Sequence, residues 1–493
     1  MTTLALDFGD QFLELASADQ GVVSIVKDPV RGTPLRLPAC VAVEDGVAWL
    51  GHAAIDRVSE MPRVKVLGGI KRSLGQVDPV LEDTTGRHWQ AEGLAGLLIK
   101  KALEDFLLSH PASTLSAVVA LAPDVGEAGA RALRAACRLA GFSAVVTVDQ
   151  AVAHASSLNL QIDESVLVAD AGSGPVSVSL VTRRENGYTI DAQMSGDMPL
   201  RNLILQVMPP GLCALLRPID DDVAYELSVA EILRDTIWAK FGAEPARSWS
   251  GWIPDNTRHA SAIPVAFSAQ VVDALAKTAA QEIASLVRQV LAKSGAAAVT
   301  GCSLTGGWGR NVLVTQHLAR ENLIGLRFSL APVAAIAFGA ARWHAQGFSP
   351  LRDVSSAMIG IRTVNPDSGQ PMIHPLIAAG TALPATGVFP LFANRLNQKR
   401  LVIEIAKVDD DGQDWSLGFF AFDFEKPLSM ETQLEVTVSL GREMSVAAQA
   451  CDHRTSKRVE AVLGSDDIDS VEAFWRQHQW IRGLGLNDAR FQS

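Results

Sequence analysis

Asp7-Phe8-Gly9 and Asp170-Ala171-Gly172 each close an apolar run, Leu4-Ala5-Leu6 in the first case and Val166-Leu167-Val168-Ala169 in the second. An aspartate at a strand end can anchor a hydrated magnesium ion, which gives up its water reluctantly. A glycine two residues later lets backbone N–H groups approach phosphate oxygens with no side chain in the way. A single Asp-x-Gly is an ordinary turn. Two of them, each ending an apolar strand, can face one another across a cleft.

Positioning these residues requires an α/β scaffold, and the hydrophobic pattern supplies one. Strands are expected at Leu4–Asp7, Ala117–Ala122, Val166–Asp170 and Val176–Val181. Helices are expected at Leu94–Leu108, at Ala128–Ala140 with Gly141 as its C-terminal cap, and at Phe267–Lys293 with Ser268 as its N-cap. Trp238–Pro264, rich in Trp, Ser, Pro and Asn, suggests irregular surface structure. From about Gln370 the period changes. Leu401–Ile405, Gly418–Phe424 and Gln433–Leu440 are short β-branched or aromatic segments between turn residues, which predicts an all-β module. The turn-rich stretch 347–353 separates the two halves as a linker. The tail 463–493 has room for one short helix near Val471–Trp480, whose Trp475 and Trp480 are suited to docking on a domain.

A chain of 493 residues is too long for one hydrophobic core. Hydrophobic residues make up 48% and charged residues 20%, the balance of a soluble globular protein. No apolar run reaches the roughly 18 residues of a membrane span, and the N-terminus lacks a signal-peptide pattern. The net charge of −11 argues against nucleic acid as a main partner, since phosphate backbones are met by a basic face. Five scattered cysteines with no metal-ligand spacing fit a reducing compartment. A cytoplasmic protein with neither a membrane nor a nucleic-acid partner is expected.

Several segments, taken in order, resemble the DnaK-type (heat shock protein 70) chaperones. Gly69–Gly75 is similar to their A-I-K-R-L-I-G segment. Val119-Ala120-Leu121-Ala122-Pro123, followed by Arg131 and Arg138-Leu139-Ala140-Gly141, resembles I-T-V-P-A-Y-F … R … R-I-A-G. Val166–Val181 resembles the second phosphate strand, V-F-D-L-G-G-G-T-F-D-V-S, and Thr305–Arg310 resembles V-G-G-S-T-R. Val354–Thr363, Pro375–Pro384 and Ser416–Phe420 resemble the opening, middle and L-L-G-x-F segments of the family's β domain.

The resemblance implies an actin-like (ribonuclease H-like) two-lobed α/β nucleotide-binding domain over 1–346. It further implies a linker at 347–353, an all-β sandwich peptide-binding domain over 354–462, and a tail at 463–493 too short for the family's helical lid. Lys71, Asp149 and Asp170 stand at the family's catalytic positions, Asp149 in place of a glutamate. Asp7, Gly9, Gly172, Gly174, Gly306, Gly307 and Arg310 would hold ATP or ADP, with Mg²⁺ bound through water by Asp7 and Asp170. Met372, Ile373, Leu391 and Phe392 would line an apolar groove for extended, unfolded polypeptide clients. J-domain and nucleotide-exchange co-chaperones are the partners the family implies.

The chain also departs from the family pattern. Asp10-Gln11-Phe12-Leu13 stands where the family has T-T-N-S, which places a carboxylate among the expected phosphates. Ser173 and Pro175 replace a glycine and a threonine, Ser177 replaces an aspartate, and Trp308 sits beside the expected adenosine pocket, to stack on the base or fill its place. Gly196–Asn202 replaces G-D-T-H-L-G-G, with Arg201 as a substitute phosphate ligand. A chaperone that binds ATP but hydrolyses it weakly or not at all is expected. The alternative is a nucleotide-independent scaffold that uses its actin-like domain as an interaction surface.

Overall fold

β1 (Thr2–Phe8) is buried along most of its length because it is the central strand of a sheet covered on both faces. Its side chains alternate between two cores. Leu4, Leu6 and Phe8 enter one hydrophobic cluster, and Ala5 enters another on the opposite face. That is why the segment reads as a continuous apolar run. The computed structural model describes residues 2–29, 32–54, 66–76, 78–110, 115–142, 144–199, 249–254, 262–294, 299, 301–309, 311–321, 323, 327–330, 333–348, 355, 357–364, 370–392, 398–408, 414–428, 433–441, 446–463 and 471–487. Two units emerge, one formed by Met1–Phe348 with Glu472–Ser493, the other by Ser349–Val471.

After β1 come β2 (Phe12–Asp19), β3 (Val22–Ile25), β4 (Arg36–Pro38), β5 (Cys40–Glu44), β6 (Val47–Leu50), β7 (Val66–Gly68) and the short β8 (Leu81–Glu82) and β9 (His88–Trp89). Next are α1 (Ala91–Ser109), β10 (Leu115–Leu121), α2 (Gly126–Ala140), β11 (Ala144–Asp149) and α3 (Gln150–Ser157). The second half holds β12 (Ser165–Asp170), β13 (Pro175–Arg184), β14 (Gly187–Pro199), β15 (Trp249–Pro254), β16 (Ala262–Phe267) and α4 (Ala269–Ser294), then β17 (Gly301–Thr305), α5 (Val312–Leu318), β18 (Arg327–Leu330) and α6 (Ala335–Ala345).

The two main sheets share one topology. The first runs β11-β10-β1-β2-β3 and the second β14-β13-β12-β17-β18. In each, the first strand pairs antiparallel with the next in sequence and parallel with a later one. Asp7 and Asp170 therefore occupy equivalent strand ends, opposite Ala120 and Thr305 of the parallel neighbours. The repeated Asp-x-Gly of the sequence is the trace of a duplicated α/β unit.

The duplication also explains the layering. α1 and α2 share a core with one face of the first sheet. α4 and α5 do the same for the second sheet, beside Leu167, Ala169 and Leu304. α3 and α6, equivalent in the two halves, pack on each other between the sheets, where Val118, Ala120, Val166 and Val168 join one cluster. Gly339 on α6 is needed there, because a Cβ at that position would overlap the Ala153 carbonyl oxygen on α3.

The expected helices are present with their ends shifted by up to three residues. Gly141 caps α2 with φ of 111°, and the Ser268 hydroxyl accepts from Val271 N at the start of α4. The segment expected to be irregular before α4 instead contains the β15–β16 hairpin.

The second unit is a sandwich of two antiparallel sheets. β19 (Met358–Val364), β20 (Pro371–Ile377), β22 (Gln398–Val408) and β23 (Asp414–Leu428) form one, in the order β20-β19-β22-β23. β21 (Ala385–Phe392), β24 (Gln433–Leu440), β25 (Val446–Asp452) and β26 (Lys457–Leu463) form the other, in chain order. Alternate residues such as Ile403 and Ile405 face Val436 and Val438 in one core.

The tail then returns to the first unit as α7 (Val471–Gly483) and β27 (Gly485–Asn487). β27 pairs parallel with β6. Ile481 is fully buried, Gln477 donates to Gln90 at 2.9 Å, and Lys100 donates to the Ile481 carbonyl at 3.1 Å. Trp480 packs on Trp89, the docking role expected of it, whereas the Trp475 side chain lies outside the described set.

Candidate functional site

In both main sheets the parallel strands end at one cleft, the usual place for a ligand in such sheets. After β1, Gly9 N donates to Phe12 O at 2.9 Å and closes a tight turn. After β12, Ala171 N donates to Thr305 O at 3.0 Å, while Trp308 N and Gly309 N both donate to Ala171 O. The two loops of the second sheet are thereby locked together. Gly306, with φ of 80°, sits where a Cβ would lie 2.5 Å from the Asp170 carboxylate, so no larger residue fits there. Gly172 and Gly307 present bare backbone to open space.

These loops enclose a cavity of about 140 Å³. At roughly 10–15 Å³ per water centre that is room for on the order of ten waters, the scale of a hydrated polyphosphate. Asp7, Gly9, Lys71, Asp170, Gly172, Gly174, Gly306 and Gly307 all line it. Eight residues singled out in the sequence thus come together from segments up to 300 positions apart.

Lys71 lies on a 3-10 turn, Ile70–Ser73, that follows Gly69 in the left-handed conformation. Its side chain is 13% exposed, with Nζ 3.4 Å from Asp124 Oδ1. Burial pushes the ammonium pKa down, but Asp10, Asp124, Asp170 and Asp7 together outweigh it and hold the pKa above the ordinary lysine value. Lys71 is therefore a fixed positive charge in a ring of carboxylates. Asp10 is buried and accepts from the Ser173 hydroxyl at 3.3 Å, which joins the two phosphate-type loops. At one wall Glu14 pairs with Arg36 at 2.8 Å and also accepts from Ala334 N at 3.0 Å. The Arg36 guanidinium lies 4.2 Å from the centre of the Phe12 ring.

Asp149 is placed differently from its expected role. Its carboxylate caps α3, accepting from Ala151 N at 2.8 Å, and it is not among the cavity-lining residues. Burial raises its pKa in spite of backbone hydrogen bonds from Ala151 and Val152. The next residue, Gln150, lines the cavity instead.

Trp308 neither stacks in the cleft nor fills it; the ring is buried in the core between α4 and the second sheet. Pro175 and Ser177 do line the cleft. Arg310 and Arg201 lie outside the described residues. Asp124 and Gln150 were missed in the sequence. Both follow the ends of parallel strands, β10 and β11, so the strand-end rule that picked Asp7 would have found them.

In the second unit β20 and β21 are the edge strands of their sheets. Their side chains meet along a seam. The His374 and Phe389 rings are 4.2 Å apart, and a Cβ on Gly387 would lie 2.6 Å from Leu376 O. Met372, Ile373, Leu391 and Phe392 all lie within three residues of the His374–Phe389 contact along these strands. Met372 and Phe392 are 38% and 52% exposed, Ile373 is half-buried, and Leu391 packs against the sandwich core. No family model matches the chain.

Proposed function

We propose that the protein is a divergent DnaK-type chaperone that binds ATP or ADP with magnesium in the first unit and extended polypeptide in the second, with weak or absent hydrolysis. The observation that carries this reading is the meeting of Asp7, Asp170 and Lys71 at one cleft between two sheets that share a five-strand order. The shared strand order supports the actin-like assignment, and the antiparallel sandwich supports the peptide-binding one.

Asp7 and Asp170 would hold a magnesium ion. Because magnesium gives up its water reluctantly, these two would hold the ion through its water shell. Bound there, magnesium neutralises phosphate charge. Gly9, Gly172 and Gly307 give phosphate oxygens access to backbone N–H groups, and Lys71 adds a positive charge held in place by its neighbours. Weak hydrolysis follows from Asp149, whose carboxylate is taken up by the helix cap. That leaves Gln150, which takes up no proton, as the residue facing the cleft near α3. Among the described residues no helix is long and apolar enough to cross a membrane. A cytoplasmic site of action is part of this proposal.

A second reading, a scaffold that needs no nucleotide, draws support from Asp10 and Asp124, two carboxylates in the expected path of the phosphates. Calorimetric titration of Mg-ATP and Mg-ADP separates the two. Micromolar affinity is the expected result. Silence at millimolar nucleotide would overturn the first reading and leave the scaffold.

A further inference from the structure

We infer that Asp124 is a charge gate on this cleft, competing with ligand phosphate for Lys71 and so setting how many phosphates the cleft accepts. This deepens the nucleotide reading and rests on it. Two cations line the cavity among the described residues, Lys71 and Arg36. Arg36 is engaged by Glu14 at 2.8 Å and by the Phe12 ring. Among the described side chains, Lys71 is thus the cation best placed to meet a phosphate beside the magnesium.

Lys71 already has a partner in Asp124, 3.4 Å away. The two carboxylates nearest the opposite loop are Asp10 and Asp124, whose Oδ2 atoms lie 3.5 and 3.7 Å from where a Cβ on Gly174 would stand. Gly174 thus offers its bare backbone at a point that both acids border. They differ in freedom. Asp10 is buried and held by Ser173, whereas the Asp124 side chain is 39% exposed and sits on the Pro123–Val125 turn at the cavity edge. Asp124 is the acid that water can receive when a phosphate takes Lys71. An entering phosphate must break this pair, and the cost rises with the charge brought near it.

The test compares Asp124→Asn and Asp124→Glu with the wild type, by calorimetric titration of adenosine, Mg-ADP and Mg-ATP. A half-exposed pair of this kind is worth up to about a fivefold change in affinity. Asp124→Asn should tighten Mg-ATP binding roughly two- to fivefold, Mg-ADP less, and adenosine not at all; Asp124→Glu should behave as wild type. Equal tightening for all three ligands would mark Asp124 as merely structural, and unchanged Mg-ATP affinity would overturn the gate while leaving nucleotide binding intact. Acylation of Lys71 by an amine-reactive reagent, read by peptide mass spectrometry without nucleotide, gives an independent arm. If neither protein binds nucleotide, the reading of the cleft fails by itself. Faster labelling of Lys71 in Asp124→Asn then still shows the restraint, and an equal rate removes it.

Discussion

At the scale of single residues, the first unit buries polar groups in several places, two of which bear on ligand binding and stability. One is the cleft, where the surrounding acids hold the Lys71 ammonium charged. The other is the middle layer, where His154 on α3 is fully buried and bonds Ser303 of β17 at 2.8 Å. Burial holds the His154 imidazole down at about 4, from an ordinary value of 6.5. The sign of the consequence follows from linkage. The folded chain takes up this proton less readily than the unfolded chain, so acid favours unfolding. The stabilising contribution is complete above pH 6.5 and is lost as pH falls from there toward 4. At ~1.4 kcal/mol per pH unit, the loss across that window approaches about 3 kcal/mol. Chemical denaturation of the first unit at pH 7 and pH 4.5 should show this loss in the wild type. His154→Gln should remove most of it. Equal pH sensitivity in the two proteins would assign the effect to other groups.

At the scale of elements, much was legible and the reasons are physical. Strands buried on both faces, such as β1 and β12, announce themselves as unbroken apolar runs ending in Asp-x-Gly, and amphipathic α2 ends at a glycine. Less legible was whatever depends on direction within an element. Trp308 stands one residue past two glycines that line the cleft, yet its ring turns into the core, a choice made by the Trp308 N to Ala171 O bond and the apolar face of α4. Asp149 follows a strand as a site acid would, but the α3 N-terminus claims its carboxylate first. The peptide seam is a similar case: alternation along β21 puts Leu391 toward the core and leaves Phe392 outside. Phe392 is therefore the better probe. Phe392→Asp should weaken capture of a fluorescent extended apolar peptide at least about tenfold in anisotropy titrations, since hot-spot aromatics commonly carry that much. Its melting profile should stay that of the wild type. Unchanged capture would place the client site elsewhere on the protein.

At the scale of the whole molecule, the chain's path sets a condition that neither unit shows alone. The sandwich segment is bracketed in sequence by the first unit, because α7 and β27 return to that unit after β26. Their docking is a core contact. Ile481 is fully buried in the same cluster as Leu94, Leu97 and Leu139, and Gly93 on α1 leaves room for Gln477, whose side chain a Cβ there would overlap. α1 is thus held between α2 and the tail, and α1 also packs on the 3-10 turn that carries Lys71. Loss of the tail should loosen the platform beneath that lysine as well as the unit's stability. Ile481→Ala removes a buried aliphatic side chain and should cost about 3 kcal/mol. Truncation after residue 470 should cost more, since it also uncovers Trp89 and the edge of β6. Calorimetric scans should show the first unit's transition falling in both variants while the sandwich transition holds its temperature. If the first transition instead stays at the wild-type temperature in the truncated chain, the tail is a passenger on α1, and Lys71 is held by the α1–α2 pair without it.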